Sequence, residues 1–176
     1  ALESFVADTI AALKSANSEL IRIAQSVHGA RTIGTTIVGL VISDGRFGCF
    51  WAGDSRAYRI REGEIAQLTR DHSLVQGLVD AGMLDPAEAE THPNANVVTR
   101  AVGAAETLEV DTSAGDARPG DTFLLASDGL TRVMTDEEIY AELTALPGEE
   151  AADSLLETVL SRGAPDNVSM ILVRIT

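Results

Sequence analysis

The chain has 176 residues, enough for one domain with its own core, and its apolar (45%) and charged (23%) shares are those of a globular protein. The formal net charge is −14, with Lys14 the only lysine among 13 basic residues. Nucleic acid and anionic membrane are therefore not expected partners, and a phosphorylated substrate would be repelled unless a cation sits in the site. Cys49 stands alone, which excludes an intrachain disulfide and a cysteine-based zinc cluster.

The elements follow in chain order. Leu2, Phe5, Val6, Leu13, Ala16, Leu20, Ile23 and Val27 recur at helical spacing and predict a long amphipathic helix with Gly29 as its C-cap. No N-cap residue precedes Leu2, so the helix is expected to begin upstream of residue 1. The same stretch lacks the charged end and apolar centre of a secretion signal, and no apolar run reaches the roughly 18 residues of a membrane span. A cytoplasmic location is expected. "TIGTTIVGLVI", "FGCFWAGD", "SRAYRIR" and "EIAQLT" are strand-like, with turns at Asp44-Gly45 and Glu62-Gly63, and predict an antiparallel meander from about Thr32 to Thr69. Cys49 reads as a small core residue within it. Phe50 and Trp51 occupy adjacent strand positions and must face opposite sides.

After "RDHS", Leu74, Leu78, Val79 and Met83 predict a helix ending near Gly82. Asp85, Pro86 and Glu88 carry the start signals of a short helix. A polar loop holds His92, Asn94 and Asn96, and "VVTRAVG" reads as a short strand. "LEVDTSAGDARPGDTFLLAS" gives two strands around Pro119-Gly120. Thr135 and Glu138 form a capping box for a helix to about Ala145, a final helix runs from Glu149 to Ser161, and "VSMILVRI" is the last strand. The acidic residues at Asp136 to Glu138 and Glu149-Glu150 suit helix N-termini. Strands grouped with strands and helices with helices point to an α+β fold.

Three stretches share one format, an apolar strand beside a turn carrying an aspartate: "WAGDSR" (Asp54), "LLASDG" (Asp128) and "GAPDNVSMILV" (Asp166). Each alone is ordinary turn chemistry. Together, carboxylates from separate strand ends suit a hard divalent cation such as Mg²⁺ or Mn²⁺, which takes oxygen ligands and keeps water in its shell.

"GTT" (Gly34–Thr36), "AGDSRAY" (Ala52–Tyr58), "TRDHS" (Thr69–Ser73), "VVTRAVG" (Val97–Gly103), "LLASDGL" (Leu124–Leu130) and "PDNVSMILV" (Pro165–Val173) occur in one order. That succession resembles the bacterial form of the metal-dependent protein phosphatase family (type 2C, or PPM), from about Gly34 to Ile175. The resemblance implies two antiparallel β-sheets packed as a sandwich with helices outside, in a single domain over residues 1–176. It implies that Asp128 and Asp166 are ligands of a two-cation centre and Asp54 a ligand of a third, weaker ion, with Gly129, Asn167 and Ser55 adjacent to the metals. It implies a mobile flap over residues 76–95. The two cations, about 3.5–4 Å apart, would generate a hydroxide that attacks phosphoserine or phosphothreonine directly, with no catalytic side chain beyond the metal ligands. The expected partner is a phosphoprotein, the substrate of an opposing serine/threonine kinase.

The family begins with strands that have no match here. They carry an arginine that grips phosphate, an acidic metal residue and an Asp-Gly whose carboxylate bridges both metals. The chain is therefore expected to be truncated at its N-terminus, with weakened metal binding, reduced activity and open sheet edges through which it could dimerise. A non-catalytic pseudo-phosphatase that binds a phosphoprotein or regulatory partner is the alternative, and an unrelated acidic cation-binding β domain is a third reading. His72 is expected to be a structural hydrogen-bonding residue, and His28 and His92 surface loop residues. Arg56, Arg59, Arg100 and Arg132 are candidates for phosphate, with ion pairing as the competing role.

Overall fold

The computed structural model describes residues 2–26, 32–89 and 91–176. The expected C-cap at Gly29 and the loop position of His28 lie outside the described residues. Helix α1 (Leu2–Ser26) is followed by β1 (Ile37–Ser43), β2 (Arg46–Ala52), β3 (Arg56–Arg61) and β4 (Glu64–Gln67). Next come α2 (Leu74–Asp80), a single 3₁₀ turn (Pro86–Glu88), β5 (Asp111–Asp116) and β6 (Thr122–Ala126). The chain continues through α3 (Asp128–Thr131), α4 (Asp136–Ala145), α5 (Gly148–Ser161) and β7 (Met170–Arg174).

The strands form two antiparallel sheets, in the orders β1-β2-β5 and β4-β3-β6-β7. The expected hairpins are present, with Ser43 paired to Arg46 and Arg61 to Glu64. The expected continuous meander is not. Between β2 and β3 the chain leaves one sheet for the other, and Gly53, Asp54 and Ser55 make that step. Gly53 has φ +126°, and a Cβ there would lie 2.4 Å from Cγ2 of Thr36, so a side chain is excluded. Alternating hydrophobicity describes both hairpins and carries no mark of the change of sheet.

Between the sheets, Phe47, Cys49 and Trp51 from β2 meet Ala57, Phe123 and Leu125. The Phe47 and Phe123 rings sit 5.3 Å apart at 60°. The other face of the second sheet presents Tyr58, Ile60, Leu124 and Ala126 to Ile139, Leu143, Leu155 and Val159 of α4 and α5. Helix α1 covers the first sheet, with Leu2 and Val6 over Gly48 and with Leu13 and Leu20 packed around Ala52, Val102 and Leu108. The layers are thus helix, sheet, sheet and helix pair. Phe50 and Trp51 face opposite sides as expected: Trp51 enters the core between the sheets, and the Phe50 ring lies over Gly39 of β1.

Local signals hold where they were strong. Thr135 and Glu138 make the reciprocal capping box of α4, and Asp85 caps the 3₁₀ turn through Oδ1, which accepts from the Ala87 N–H at 2.9 Å. Val97–Gly103 is not the strand its β-branched residues predict. It makes only isolated bridges, Ser73 to Val98 and Thr35 to Val102, because neither sheet continues alongside it. Among the described residues no helix is long and apolar enough to cross a membrane.

Candidate metal centre

Two strand exits converge. The β2–β3 crossover delivers Asp54, and the end of β6 delivers Asp128 as the first residue of α3. Ser127, in extended conformation, makes the corner between β6 and α3. One turn later Arg132 terminates α3, four residues from Asp128 on the same helical face. Its Nη2 lies 3.1 Å from Oδ2 of Asp128 and 3.4 Å from Oδ2 of Asp54. Its Nη1 donates to Oδ1 of Asn96 at 2.6 Å. Asp54, Asp128 and Arg132 line one pocket together with Arg56, Asp71, Gln76 and Asn96.

Asp54 is buried. Burial pushes its carboxyl above the usual range, and the charge of Asp128 pushes the same way; a backbone hydrogen bond and Arg132 offset this only in part. Two carboxylates facing one pocket carry more negative charge than one guanidinium cancels, so the pocket favours a further cation.

Asp166 sits in the loop before β7, outside the pocket lining, and its Oδ1 accepts from the Asn167 N–H at 2.7 Å. That loop is nevertheless tied to the Asp128 corner. Ser127 N–H donates to the Ser169 carbonyl (2.9 Å), Ser169 N–H donates to Ser127 Oγ (3.0 Å), and Gly129 packs on the Asn167 carbonyl. Ser55, next to Asp54, is buried, with its Oγ 3.0 Å from Oγ1 of Thr36. The structure thus brings Asp54 and Asp128 to one pocket and puts Asp166 on the loop tied to the Asp128 corner. Among the described residues, no three His, Cys, Asp or Glu side chains form a metal-binding group. Asp54 and Asp128, both hard oxygen donors, fit one side of a Mg²⁺ or Mn²⁺ site.

The arginine candidates divide. Arg56 lines the pocket but is bound to Asp71 by Nε (3.0 Å to each oxygen) and Nη2 (2.8 Å). Burial works against its charge, and Asp71 more than compensates, so the guanidinium is held firmly protonated. Arg100 is engaged by Asp111 at 2.6 Å and Glu109 at 3.3 Å. Arg59 stands on β3, its Nε buried without a hydrogen-bond partner. Of these four, only Arg132 touches the two carboxylates.

His72 is structural, as expected. Its Nδ1 accepts from the Gly53 N–H at 3.1 Å, which leaves Nε2–H to donate to Asp111 at 3.1 Å. The ring stacks on Trp51, 6.1 Å between centroids and 18° between planes, and its bond to Gly53 braces the residue preceding Asp54. Burial acts against the Asp111 charge, but the hydrogen bonds from His72 and Arg100 outweigh it and lower the carboxyl below its ordinary range. His92 lies in a loop, its Nδ1 accepting from the Asn94 N–H. Asp71 and Asn96 were not singled out by sequence; their partners lie 15 and 36 residues away, beyond any local pattern.

The family model described as protein phosphatase 2C matches residues 2–175. The chain belongs to the protein phosphatase 2C family. It is 36% identical over 162 residues to the serine/threonine protein phosphatase PstP of Mycobacterium tuberculosis, covering 92% of this chain and 31% of that protein. It is 34% identical over 175 residues to the serine/threonine phosphatase stp of Listeria monocytogenes, covering 98% of this chain and 68% of that protein. The chain therefore spans about a third of the mycobacterial relative's length. Among solved structures, PppA of Pseudomonas aeruginosa superimposes with a TM-score of 0.89 at 38% identity, covering all of this chain and 72% of that one. The catalytic domain of PstP, solved in complex with two manganese ions, does so with a TM-score of 0.82 at 35% identity, over 92% of this chain and 67% of that one. The α+β sandwich with outer helices is thus the protein phosphatase 2C fold.

Proposed function

We propose that this chain forms part of a metal-dependent serine/threonine protein phosphatase, with Asp54 and Asp128 holding Mg²⁺ or Mn²⁺. The observation that carries this reading is the convergence of the two carboxylates on one pocket in a chain of the protein phosphatase 2C family. Bound there, a divalent cation would lower the pKa of a water molecule and offset charge on the phosphoryl oxygens of a phosphoserine or phosphothreonine. The chain's own residues set the stage. Asp54 and Asp128 orient the donor oxygens, and the Asp166 loop, packed on Gly129, fixes the corner from which Asp128 projects. In the same reading Asp166, on the loop tied to the Asp128 corner, is a further ligand, and Asp54 also borders a third ion.

Residues 76–95 act as the flap beside the site; Gln76, Ala89 and Ala95 in the pocket wall support this. The substrate is a phosphoprotein, the product of an opposing serine/threonine kinase, and the setting is cytoplasmic signalling. Relatives named as serine/threonine protein phosphatases support the substrate class. β1 and β7 are edge strands whose outer backbone groups offer a route to pairing with a second copy.

The test is phosphate release by the whole gene product that contains this chain. Phosphothreonine and phosphotyrosine peptides are compared, each with Mn²⁺ or with EDTA. Release from the phosphothreonine peptide that requires Mn²⁺ supports the reading. Binding of that peptide without turnover would replace it with a pseudo-phosphatase.

A further inference from the structure

Arg132 occupies the place where charge balance calls for a cation. One nitrogen of its guanidinium reaches both carboxylates, at 3.1 Å (Asp128) and 3.4 Å (Asp54), and the other donates to Asn96 at 2.6 Å. Asn96 directly follows the flap segment and lines the same pocket. The triad of one guanidinium and two carboxylates leaves one negative charge, so Arg132 neutralises the pair incompletely. A divalent cation would neutralise it fully, and Arg132 would then face a positive ion across a few ångströms. The side chain is partly exposed, which leaves it a path outward into water.

We propose that Arg132 is a built-in counter-cation of the Asp54–Asp128 pair, which a divalent cation must displace, and that through Asn96 it couples cation occupancy to the end of the flap. This inference rests on the reading of Asp54 and Asp128 as cation ligands. Arg132 is a positioning residue in this scheme. It stabilises the carboxylate pair in the absence of a cation, raises the cation concentration needed for loading, and ties the Asn96 loop down until loading occurs. Linkage makes the effect reciprocal: whatever loosens the Arg132–Asn96 contact also alters cation affinity.

The experiment is Mn²⁺ titration of the chain, followed by the paramagnetic resonance signal of the free ion. Hydrogen exchange is followed at the Ala95 and Val97 amides, which donate to the His92 and Asn94 carbonyls. Arg132→Ala should tighten Mn²⁺ binding about tenfold at low salt, by removing a like charge from the site, and the gain should shrink as salt rises. Arg132→Lys, which keeps the charge, should stay near the wild type. Mn²⁺ should speed exchange at both amides in the wild type, and Arg132→Ala should show the fast exchange without metal. Unchanged or weaker Mn²⁺ affinity in Arg132→Ala overturns the proposal if Asp128→Asn still abolishes binding. Mn²⁺ binding indifferent to both Asp54→Asn and Asp128→Asn overturns the ligand assignment, and this inference with it.

Discussion

Gly129 and Asn167 lie back to back: a Cβ on Gly129 would sit 2.2 Å from the Asn167 carbonyl oxygen. That contact joins the corner bearing Asp128 to the loop bearing Asp166, and only a glycine allows it. Gly129→Ala must push the two loops apart. It should destabilise the protein by about 1–3 kcal/mol, the usual cost of overpacking, and weaken Mn²⁺ binding as well. Urea unfolding and metal titration check this; wild-type values in both would contradict the contact.

Arg56 and Asp71 form the best-buried ion pair at the pocket, with side chains 21% and 11% exposed. Asp71→Ala strands the guanidinium and should cost about 3 kcal/mol. Replacing both partners, Arg56→Met with Asp71→Leu, should recover much of that loss, since no charge is left unpaired. Denaturant midpoints of the single and double variants measure the difference. A double variant as unstable as Asp71→Ala would show that the pair matters for more than charge compensation.

Cys49 is fully buried in β2, and burial pushes its thiol up to about 12. A thiol so placed is neither accessible nor ionised near neutral pH. Ellman's reagent should therefore find no reactive thiol in the folded chain and one per chain after unfolding. Rapid labelling of the native protein would place Cys49 outside the core between the sheets.

Glu138 of α4 accepts two hydrogen bonds from Arg162, at 2.9 and 2.6 Å, and one from the Thr135 N–H. The Arg162 hydrogen bonds, then that from Thr135, lower its carboxyl from 4.5 to about 2. The folded value lies below the unfolded one, so this stabilisation is present above 4.5 and is lost as pH falls from there towards about 2. A carboxyl-carbon NMR titration should give a midpoint near 2, and Glu138→Gln should flatten acid unfolding over that interval. A midpoint near 4.5 would mean the Arg162 contact does not persist in solution.

What was legible in the sequence was short in range. The hairpin at Asp44-Gly45, the Asp85 cap and the Thr135–Glu138 box each depend on residues within a few positions, where backbone chemistry dictates the outcome. The step between sheets at Gly53–Ser55 was hidden, because a strand that changes sheets keeps the same alternation of apolar and polar residues. Asn17 was hidden in another way. No local pattern in α1 marks it, yet it is buried, accepting from the Gly103 N–H and donating to the Ala105 carbonyl across 86 and 88 residues. The candidate site was legible as three aspartates. Asp54 and Asp128 share a pocket because two strand exits meet there, and Asp166 sits on the loop tied to the Asp128 corner. Arg132 was visible only as one of several arginines; its position four residues after Asp128 acquires meaning once α3 is seen to be helical.

The central claim is that Asp54 and Asp128 hold the cation on which phosphoprotein hydrolysis depends. The most direct measurement is the Mn²⁺-dependent rate of phosphate release from a phosphothreonine peptide by the whole gene product, wild type against Asp128→Ala. The account predicts a loss of at least about a hundredfold, on the scale expected when a group acting on the transition state is removed. A variant that retained the full rate would contradict it.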